Sequence, residues 1–322
     1  MRLTYKEKKS QNKVNDIDFE VSHTPVMVRE VLNFLSPVSG AVFLDTTLGG
    51  GGHSKLILDA IQPSGVLVGC DRDRDAINIC KEKFKVHGNS VRIHHSNFTH
   101  IKKILKDENI DYVDGIIFDL GFSSIQMNNS KRGFSISSED FLDMRMDTNS
   151  ELKASDLVNK LSENEIADII FEYGEEKRSR RIAREIVKYR SNKEIVTCEQ
   201  LSKIVLRAIK KNSSTYTRIH PATKTFQALR IVVNDELESL KTALSDAVDM
   251  LRPGGRLVVI SFHSLEDRIV KNFFRNASRL ETPLLKILTK KVVRPVYEEI
   301  RMNPRSRSSR LRASERLEEV KN

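Results

Sequence analysis

Four consecutive glycines after a short apolar run constrain this 322-residue chain more than any other feature. The apolar run at residues 41–44 ends in Asp45, and the glycines occupy residues 49–52. Glycine has no Cβ and tolerates positive φ, so the backbone of such a loop can lie very close to a ligand. Residues 54–61 then show the apolar spacing of a helix. A strand, a glycine loop and a helix in this order predict the start of a nucleotide-binding βαβ fold.

The glycine loop does not by itself identify the nucleotide. Gly49 and Gly51 fit the GxGxxG pattern of dinucleotide-binding folds, but Ser54 stands at the position of the third glycine. An oxidoreductase that uses NAD and a glycine-rich surface turn without a ligand are both alternatives at this point.

Polar or aromatic residues follow the next predicted strands. These strands are expected at residues 66–70, 91–95 and 115–118. Asp71 closes the first, Phe98 follows the second and Asp119 closes the third. In nucleotide-binding folds an acid at the tip of the second strand binds ribose hydroxyls, and an aromatic ring can cover a base. The alternation of strands and helices predicts a mostly parallel sheet with its ligand at the carboxyl ends of the strands.

The alternation stops after Asp119, and a block with helical spacing follows. The sheet pattern resumes with a helix at about 223–251, a turn at 253–255 and strands at 256–262, 285–289 and 308–313. We therefore predict one sheet domain with a helical insert between its fourth and fifth strands. The predicted bounds are 1–21 for a disordered tail, 22–130 and 216–322 for the sheet domain, and 131–215 for the insert.

Bulk properties favour a cytoplasmic enzyme. No apolar stretch approaches the roughly 18 residues of a membrane span, and the charged N-terminus has no signal-peptide pattern. Cys70, Cys80 and Cys198 lack the spacing of metal ligands, so no metal site is expected. The chain is long enough for a sizeable core. A homodimer is left open, because the sequence does not determine the oligomeric state.

Basic residues are concentrated in two segments. Residues 177–230 hold fifteen Lys and Arg against three acids, and residues 276–322 hold twelve against six. The net charge of the whole chain is +10, so the remainder is acidic. Two basic segments on an acidic protein indicate a polyanionic partner, and nucleic acid is favoured over two solvated helix faces. Arginine predominates near the C-terminus, and its planar fork suits phosphate oxygens.

Eight motifs resemble those of one family. They are HTPV (23–26), GGH (51–53), DLGFSSIQ (119–126), LDMRMD (142–147), YGEE (173–176), HPATKTFQALR (220–230), ISFHSLEDR (260–268) and NPRSR (303–307). Together they are similar to the bacterial ribosomal RNA small-subunit methyltransferase H family, over about residues 22–317. The resemblance implies a class I methyltransferase fold: a Rossmann-like, mostly parallel seven-stranded sheet with an inserted α-helical domain for substrate recognition. It also implies transfer of a methyl group from S-adenosyl-L-methionine (SAM) to N4 of a cytidine in the decoding region of 16S rRNA of the small ribosomal subunit. The sequence does not determine whether the substrate is free RNA or an assembled subunit.

The resemblance also implies the residues of the site. Asp119 is the expected catalytic residue, beside the amine that is methylated. The expected SAM contacts are Gly51, Gly52, His53, Asp71, Phe98, Asp119 and Gln126. Residue chemistry agrees for most of these, because the glycines admit the methionine moiety, Asp71 can accept both ribose hydroxyls and Phe98 can cover adenine. Spacing alone would not have selected His53 or Gln126.

Three positions depart from the usual pattern of the family. Phe122 stands in place of valine, Ile125 in place of proline, and residues 140–141 are Asp-Phe in place of Gly-Pro. These changes bear on loop shape rather than on the chemistry. Two further residues at the tip of the fifth strand, Ser261 and His263, either line the cleft or serve only as hydrogen-bonding groups of a loop.

Methyl transfer from SAM requires positioning of the acceptor nitrogen more than covalent catalysis. The amine of cytosine is a poor nucleophile, so an acceptor for its hydrogen, such as Asp119, favours the reaction. Methylation of a ring carbon usually needs a cysteine nucleophile, and none of the cysteines is predicted at a strand tip. The two rival classes are the NAD-dependent oxidoreductase, disfavoured by Ser54, and an RNA-binding assembly factor without catalysis, disfavoured by the intact series of strand tips.

Overall fold

The computed structural model describes residues 25–123, 126–127, 132–209 and 220–318. Seven strands form one sheet in the order β3-β2-β1-β4-β5-β7-β6. The strands are β1 (Val42–Asp45), β2 (Val66–Asp71), β3 (Val91–His95), β4 (Val113–Asp119), β5 (Leu251–Ser261), β6 (Leu285–Ile287) and β7 (Arg310–Arg316). Strands β1 to β5 pair in parallel, and β7 is antiparallel to both β5 and β6. The predicted mostly parallel seven-stranded sheet is confirmed.

Helices cover both faces of the sheet, and others form the insert described below. They are α1 (Val28–Leu35), α2 (Gly52–Ile61), α3 (Arg74–Phe84), α4 (Ile101–Asp107), α5 (Ala154–Lys160), α6 (Glu163–Gly174), α7 (Ser179–Arg190), α8 (Cys198–Ile209), α9 (Thr223–Val233), α10 (Glu236–Met250), α11 (Ser264–Ala277) and α12 (Tyr297–Met302). Apolar residues of α1, α2 and α3 share a core with Phe43, and those of α4, α10 and α11 share one with the next residue, Leu44. Successive strand residues point to opposite faces, so the sheet separates these two cores.

The order of the strands places a ligand site. Strand β1 lies between β2 and β4, so the connection that follows β1 runs to one side of the sheet and the chain later returns to the other side. Open α/β sheets bind ligands at such a switch point, outside the carboxyl ends of the strands. The ends of β1, β2 and β4 are Asp45, Asp71 and Asp119.

The helical insert follows β4 and has its own apolar core. Helices α5 to α8 contribute most of this core, and the face of α9 that carries Phe226, Leu229 and Val233 completes it. The predicted domain boundaries after residues 21, 130 and 215 lie outside the described residues, as does the predicted N-terminal tail. Within the described residues, no helix is long and apolar enough to cross a membrane.

The helix predicted at about 223–251 is two helices, α9 and α10. Asp235 lies between them with a φ of 47°, outside the helical region. Asn234 holds the break because its side chain accepts from the Met146 amide at 2.7 Å and donates to the Met144 carbonyl at 2.8 Å. Residues 253–255, predicted as a turn before the strand, lie within β5 as a bulge: Val113 pairs with Leu251 but Gly115 pairs with Arg256.

Candidate active site

The carboxyl ends of β1, β2, β4 and β5 open into a cavity of about 940 Å³. Its wall includes strand-tip residues of the sheet and also Met144 from the helical insert and Phe226 from α9. Arg310, the first residue of β7, lies on the same wall. Three separate parts of the chain therefore build one site.

The glycine loop forms the wall near β1. Gly49, Gly50 and Gly52 line the cavity, whereas Gly51 does not. Gly51 has a φ of +68°, and a Cβ there would lie 2.7 Å from the ring of Phe84. Gly51 is required for the turn and for packing against α3, so a side chain at this position would enter the core rather than the cofactor space. Gly52 begins α2 and lines the cavity, as expected of a glycine that lies beside the cofactor.

Asp71 lies at the tip of β2 and lines the cavity. Its carboxylate accepts from the backbone amides of Gly49 and Asp73, each at 2.8 Å. Burial raises the pKa of Asp71 to about 6; these hydrogen bonds and nearby Arg72 oppose the shift, and Asp73 adds to it. A carboxylate oxygen accepts more than one hydrogen bond, so Asp71 retains acceptor capacity toward the cavity.

Phe98 and Gln126 lie on the same side of the cavity as Asp71. Phe98 is buried, packs edge-to-face on Phe118 and carries the Arg72 guanidinium 5.1 Å from its ring centre. The Gln126 amide donates to Asp73 Oδ2 at 2.8 Å and accepts from the Ser123 amide at 3.0 Å. Gln126 therefore ties the loop after β4 to the start of α3, and one N–H of its amide is left for a ligand.

Asp119, which is partly exposed, and His53, which is buried, form a pair in the cavity wall. His53 Nδ1 lies 3.5 Å from Asp119 Oδ2, and His53 Nε2 lies 2.8 Å from the carbonyl oxygen of Val26. Asp119 Oδ1 is buried and has no hydrogen-bond partner among the described residues. Burial raises the pKa of Asp119 to about 6; His53 opposes this, and Asp45 and Glu266 add to it.

Ser261 and His263, at the tip of β5, differ in whether they line the cavity. The Ser261 hydroxyl donates to the Arg310 carbonyl at 3.3 Å, and Ser261 is not part of the cavity wall. His263 lines the cavity and is also the N-cap of α11, where its Nδ1 accepts from the Glu266 amide. His263 therefore both lines the cavity and serves as a hydrogen-bonding group of the loop.

Glu236, His263 and Glu266 bring three ligand atoms within 4.8 Å of one another beside the cavity. Such a group could hold a metal ion, but Arg230 already donates to both oxygens of Glu236 at 2.8 Å. Burial would raise the pKa of Glu266, but His263 and Arg230 outweigh it and lower that pKa. Positive charge from the protein itself therefore balances the two acids.

Two residues of the site carry no recognisable sequence signal. Thr47 lines the cavity and its hydroxyl accepts from the Asp119 amide at 2.6 Å, which joins the loop after β1 to the tip of β4. Phe134 stacks on Phe122 with ring centres 5.5 Å apart, so the phenylalanine that replaces the usual valine has an aromatic partner. Ile125 lies outside the described residues, and Phe141 of the third departure is exposed.

Comparison with known proteins identifies the family. The model of the MraW methylase family matches residues 20–317. The chain belongs to this family. It is 48% identical over 308 residues to the ribosomal RNA small subunit methyltransferase H of Geotalea uraniireducens, covering 92% of this chain and 98% of that protein. The protein of the same name from Geobacter sulfurreducens is 48% identical over 309 residues, covering 92% and 99%.

A solved structure of an rRNA methylase from Streptococcus thermophilus is also similar to this MraW methylase. It has 9% sequence identity and a TM-score of 0.44, and the match covers 90% of this chain and 96% of that chain. The predicted family is thus confirmed by sequence, and the protein is a methyltransferase that depends on SAM.

The cavity of this MraW methylase fits SAM in three respects. The loop at residues 49–52 offers backbone without side chains where the methionine moiety would lie. Asp71 has acceptor capacity for ribose hydroxyls, and Asp119 Oδ1 is a buried, unpartnered acceptor among the described residues. Two acids also suit the positive charge of a sulfonium.

The affinity for SAM should rise with pH between about 5 and 7. Asp71 and Asp119 have pKa values of about 6, so both are largely protonated at pH 5 and ionised above pH 7. The cationic cofactor favours the ionised forms, and we expect the Kd for SAM to fall about tenfold or more over this range. Calorimetric titration at pH 5.0 and 7.5 measures it. S-adenosylhomocysteine, which lacks the sulfonium charge, should depend less on pH; an equal Kd for SAM at both values would contradict the electrostatic role of the two acids.

Proposed function

We propose that this protein methylates N4 of a cytidine in the decoding region of 16S rRNA, with the rRNA presented in the small ribosomal subunit. The relatives named above are small-subunit rRNA methyltransferases, and the chain covers almost their full length. The observation that supports an exocyclic amine as the methylated group is Asp119 Oδ1, a buried acceptor without a described partner on the cavity wall, whereas the choice of cytidine rests on the family. An exocyclic amine has the N–H that such an acceptor binds.

SAM supplies a methyl group on an activated sulfonium leaving group. Asp119 would accept a hydrogen bond from the N4 amine, orient the nitrogen lone pair toward that methyl group and stabilise the positive charge that develops on nitrogen. The leaving proton can pass to the same carboxylate. A pKa of about 6 is low enough for Asp119 to be mostly ionised at neutral pH. It is also high enough to make Asp119 a better proton acceptor than an ordinary aspartate.

His53 is the proposed proton acceptor behind Asp119. Since Nε2 faces the Val26 carbonyl at 2.8 Å, Nε2 carries a hydrogen and Nδ1 is the nitrogen that faces Asp119 at 3.5 Å. In the neutral ring Nδ1 therefore has a free lone pair toward the carboxylate. The role proposed for His53 is to receive on Nδ1 the proton that Asp119 takes from the amine, which leaves a protonated ring beside an ionised carboxylate.

The helical insert and the C-terminal arginines are proposed to bind RNA, while the sheet domain holds the cofactor. Met144 of the insert and Phe226 of α9, which packs on the insert, line the same cavity as Asp119, so a base that reaches Asp119 would contact the insert. Small ribosomal subunits are assembled in the bacterial cytoplasm, which is where we place this enzyme.

The test of the function is the product. Small subunits that lack N4-methylated cytidine are incubated with the purified protein and SAM, and the nucleosides of their RNA are analysed by mass spectrometry. We expect N4-methylcytidine at one site. A product of 5-methylcytidine or of methylated adenosine would overturn both the proposed reaction and the role of Asp119.

RNA binding should weaken steeply with salt, and part of this dependence should come from α7 and its N-cap. Arg178, Arg181 and Arg184 are exposed there, as phosphate binding requires. Reversal of all three to glutamate should flatten the plot of log K against log salt by about one unit for each phosphate that is no longer neutralised. Reversal of Lys103 and Lys106 on α4, outside the basic segments, is the control, and SAM binding should be unchanged in both variants. An unaltered slope would mean that the three arginines only face solvent.

A further inference from the structure

Arginine side chains line the cavity at its end near β7. They are Arg294, Arg305, Arg307 and Arg310. The glycine loop and Asp71 form the opposite end, so this charge lies apart from the expected cofactor contacts. Two of the four, Arg294 and Arg310, carry the inference.

Arg310 contains a buried donor with no acceptor. Its Nη1 atom is buried and makes no hydrogen bond to any described residue. Leaving a charged donor unpaired and out of water is costly unless an anion occupies the site in the functional state. The backbone of Arg310 is fixed by pairing with Ser261 at the end of β5, so the position of the side chain is set by the sheet.

Arg294 increases the positive charge at this place. Partial burial lowers the pKa of Arg294, and its proximity to Arg310 lowers it further. Asp267 is the nearby acid, but Arg312 occupies it with hydrogen bonds of 2.7 and 3.3 Å. The protein therefore places two guanidinium groups together at the cavity, and the acid near them, Asp267, is already bound by Arg312.

The strand order gives the distance from this charge to the reacting group. Strand β7 lies two strands from β4 in one direction, and β2 lies two strands from β4 in the other. At a spacing of about 4.8 Å per strand, the start of β7 lies on the order of 10 Å from the tip of β4. The exocyclic amine of a cytidine nucleotide lies at a comparable distance from its own phosphate.

We propose that Arg294 and Arg310 form a subsite for a phosphodiester of the target nucleotide, beside the cytosine held at Asp119. This subsite rests on the proposed function, which places the cytosine base at Asp119. Arginine binds phosphate oxygens through paired N–H groups, and such contacts position a nucleic acid without reading its sequence. The carboxylate of the cofactor has the same chemistry, but the glycine loop that receives the methionine moiety lies at the other end of the cavity.

The first experiment measures binding without turnover. Cytidine and cytidine 5′-monophosphate are titrated by calorimetry into the protein loaded with S-adenosylhomocysteine. The monophosphate should bind about tenfold or more tightly in the wild type, and Arg310→Met and Arg294→Met should each remove most of that difference. A wild type that binds the two ligands equally, or binds neither, overturns the subsite whichever product the enzyme makes.

The second experiment measures turnover on small ribosomal subunits. Both variants should raise KM for the subunit by about tenfold while kcat and the Kd for SAM stay within about twofold. Arg275→Met, an exposed arginine on α11, is the matched control. A weakened affinity for SAM would assign the arginines to the cofactor and overturn the proposal. If Arg310→Met melts at a lower temperature than the wild type, Arg310→Lys and Arg294→Met are measured in its place.

Discussion

Replacement of Asp119 by alanine should reduce kcat by about a hundredfold to ten-thousandfold, the range typical of removing an acid–base group. The change removes the buried acceptor Oδ1 and the partner of His53. Asp119→Asn should be less severe, because the amide oxygen still accepts a hydrogen bond from the amine but does not take its proton. Single-turnover methylation of small subunits, with RNA binding measured in parallel, separates chemistry from binding.

The matched control for Asp119→Ala is Asp59→Ala, since Asp59 is exposed on α2, where it pairs with Lys55. Its turnover should equal that of the wild type. If Asp119→Ala lost RNA affinity as much as turnover, or if Asp119→Asn lost nothing at high and low pH alike, Asp119 would be a structural residue of the loop. Some loss of SAM affinity is compatible with its catalytic role, because the cofactor lies beside it in the proposal.

Replacement of Asp71 by alanine should weaken SAM binding by about a hundredfold. Two charge-assisted hydrogen bonds to ribose contribute roughly 1.5–3 kcal/mol each, so their combined loss corresponds to that factor or more. The variant also loses the acceptors for the amides of Gly49 and Asp73, which shape the glycine loop. Asp71→Asn keeps one acceptor oxygen, so its affinity for SAM should lie between that of the wild type and that of Asp71→Ala.

Calorimetric titration with SAM and with NAD measures this effect and also tests the oxidoreductase alternative. The control is Asp107→Ala, because Asp107 is exposed at the end of α4. Unchanged SAM affinity in Asp71→Ala would mean that ribose is bound elsewhere, and we expect no saturable binding of NAD.

Strand tips were predictable because the carboxyl ends of parallel strands must meet at one edge of the sheet. Asp71, Phe98 and Asp119 were found on that basis, and all three line the cavity. The direction of a side chain at Gly51 was not predictable, because it depends on the three-dimensional path of the loop: a Cβ there would meet Phe84 on α3. The predicted contact between the Gly51 backbone and SAM stays a prediction.

The contacts that spacing did not predict are long-range. His53 depends on a carbonyl 27 residues earlier, and Thr47 meets the amide of a residue 72 positions later. The break between α9 and α10 likewise depends on Asn234, whose partners in the insert are 88 and 90 residues away. Helical periodicity continues through that break, so only tertiary contacts could reveal it.

The hydrogen bond from the Met27 amide to Glu299 on α12, at 2.8 Å, joins residues 272 positions apart. Val26 is the neighbour of Met27, and its carbonyl orients the ring that faces Asp119. During translation, therefore, the active site can be completed only after nearly the whole chain has left the ribosome. Nascent or prematurely terminated chains would retain most of the sheet and yet lack the hydrogen bond between Met27 and Glu299. Synthesis of an intact C-terminus thus sets the moment at which a new molecule becomes competent to modify ribosomes.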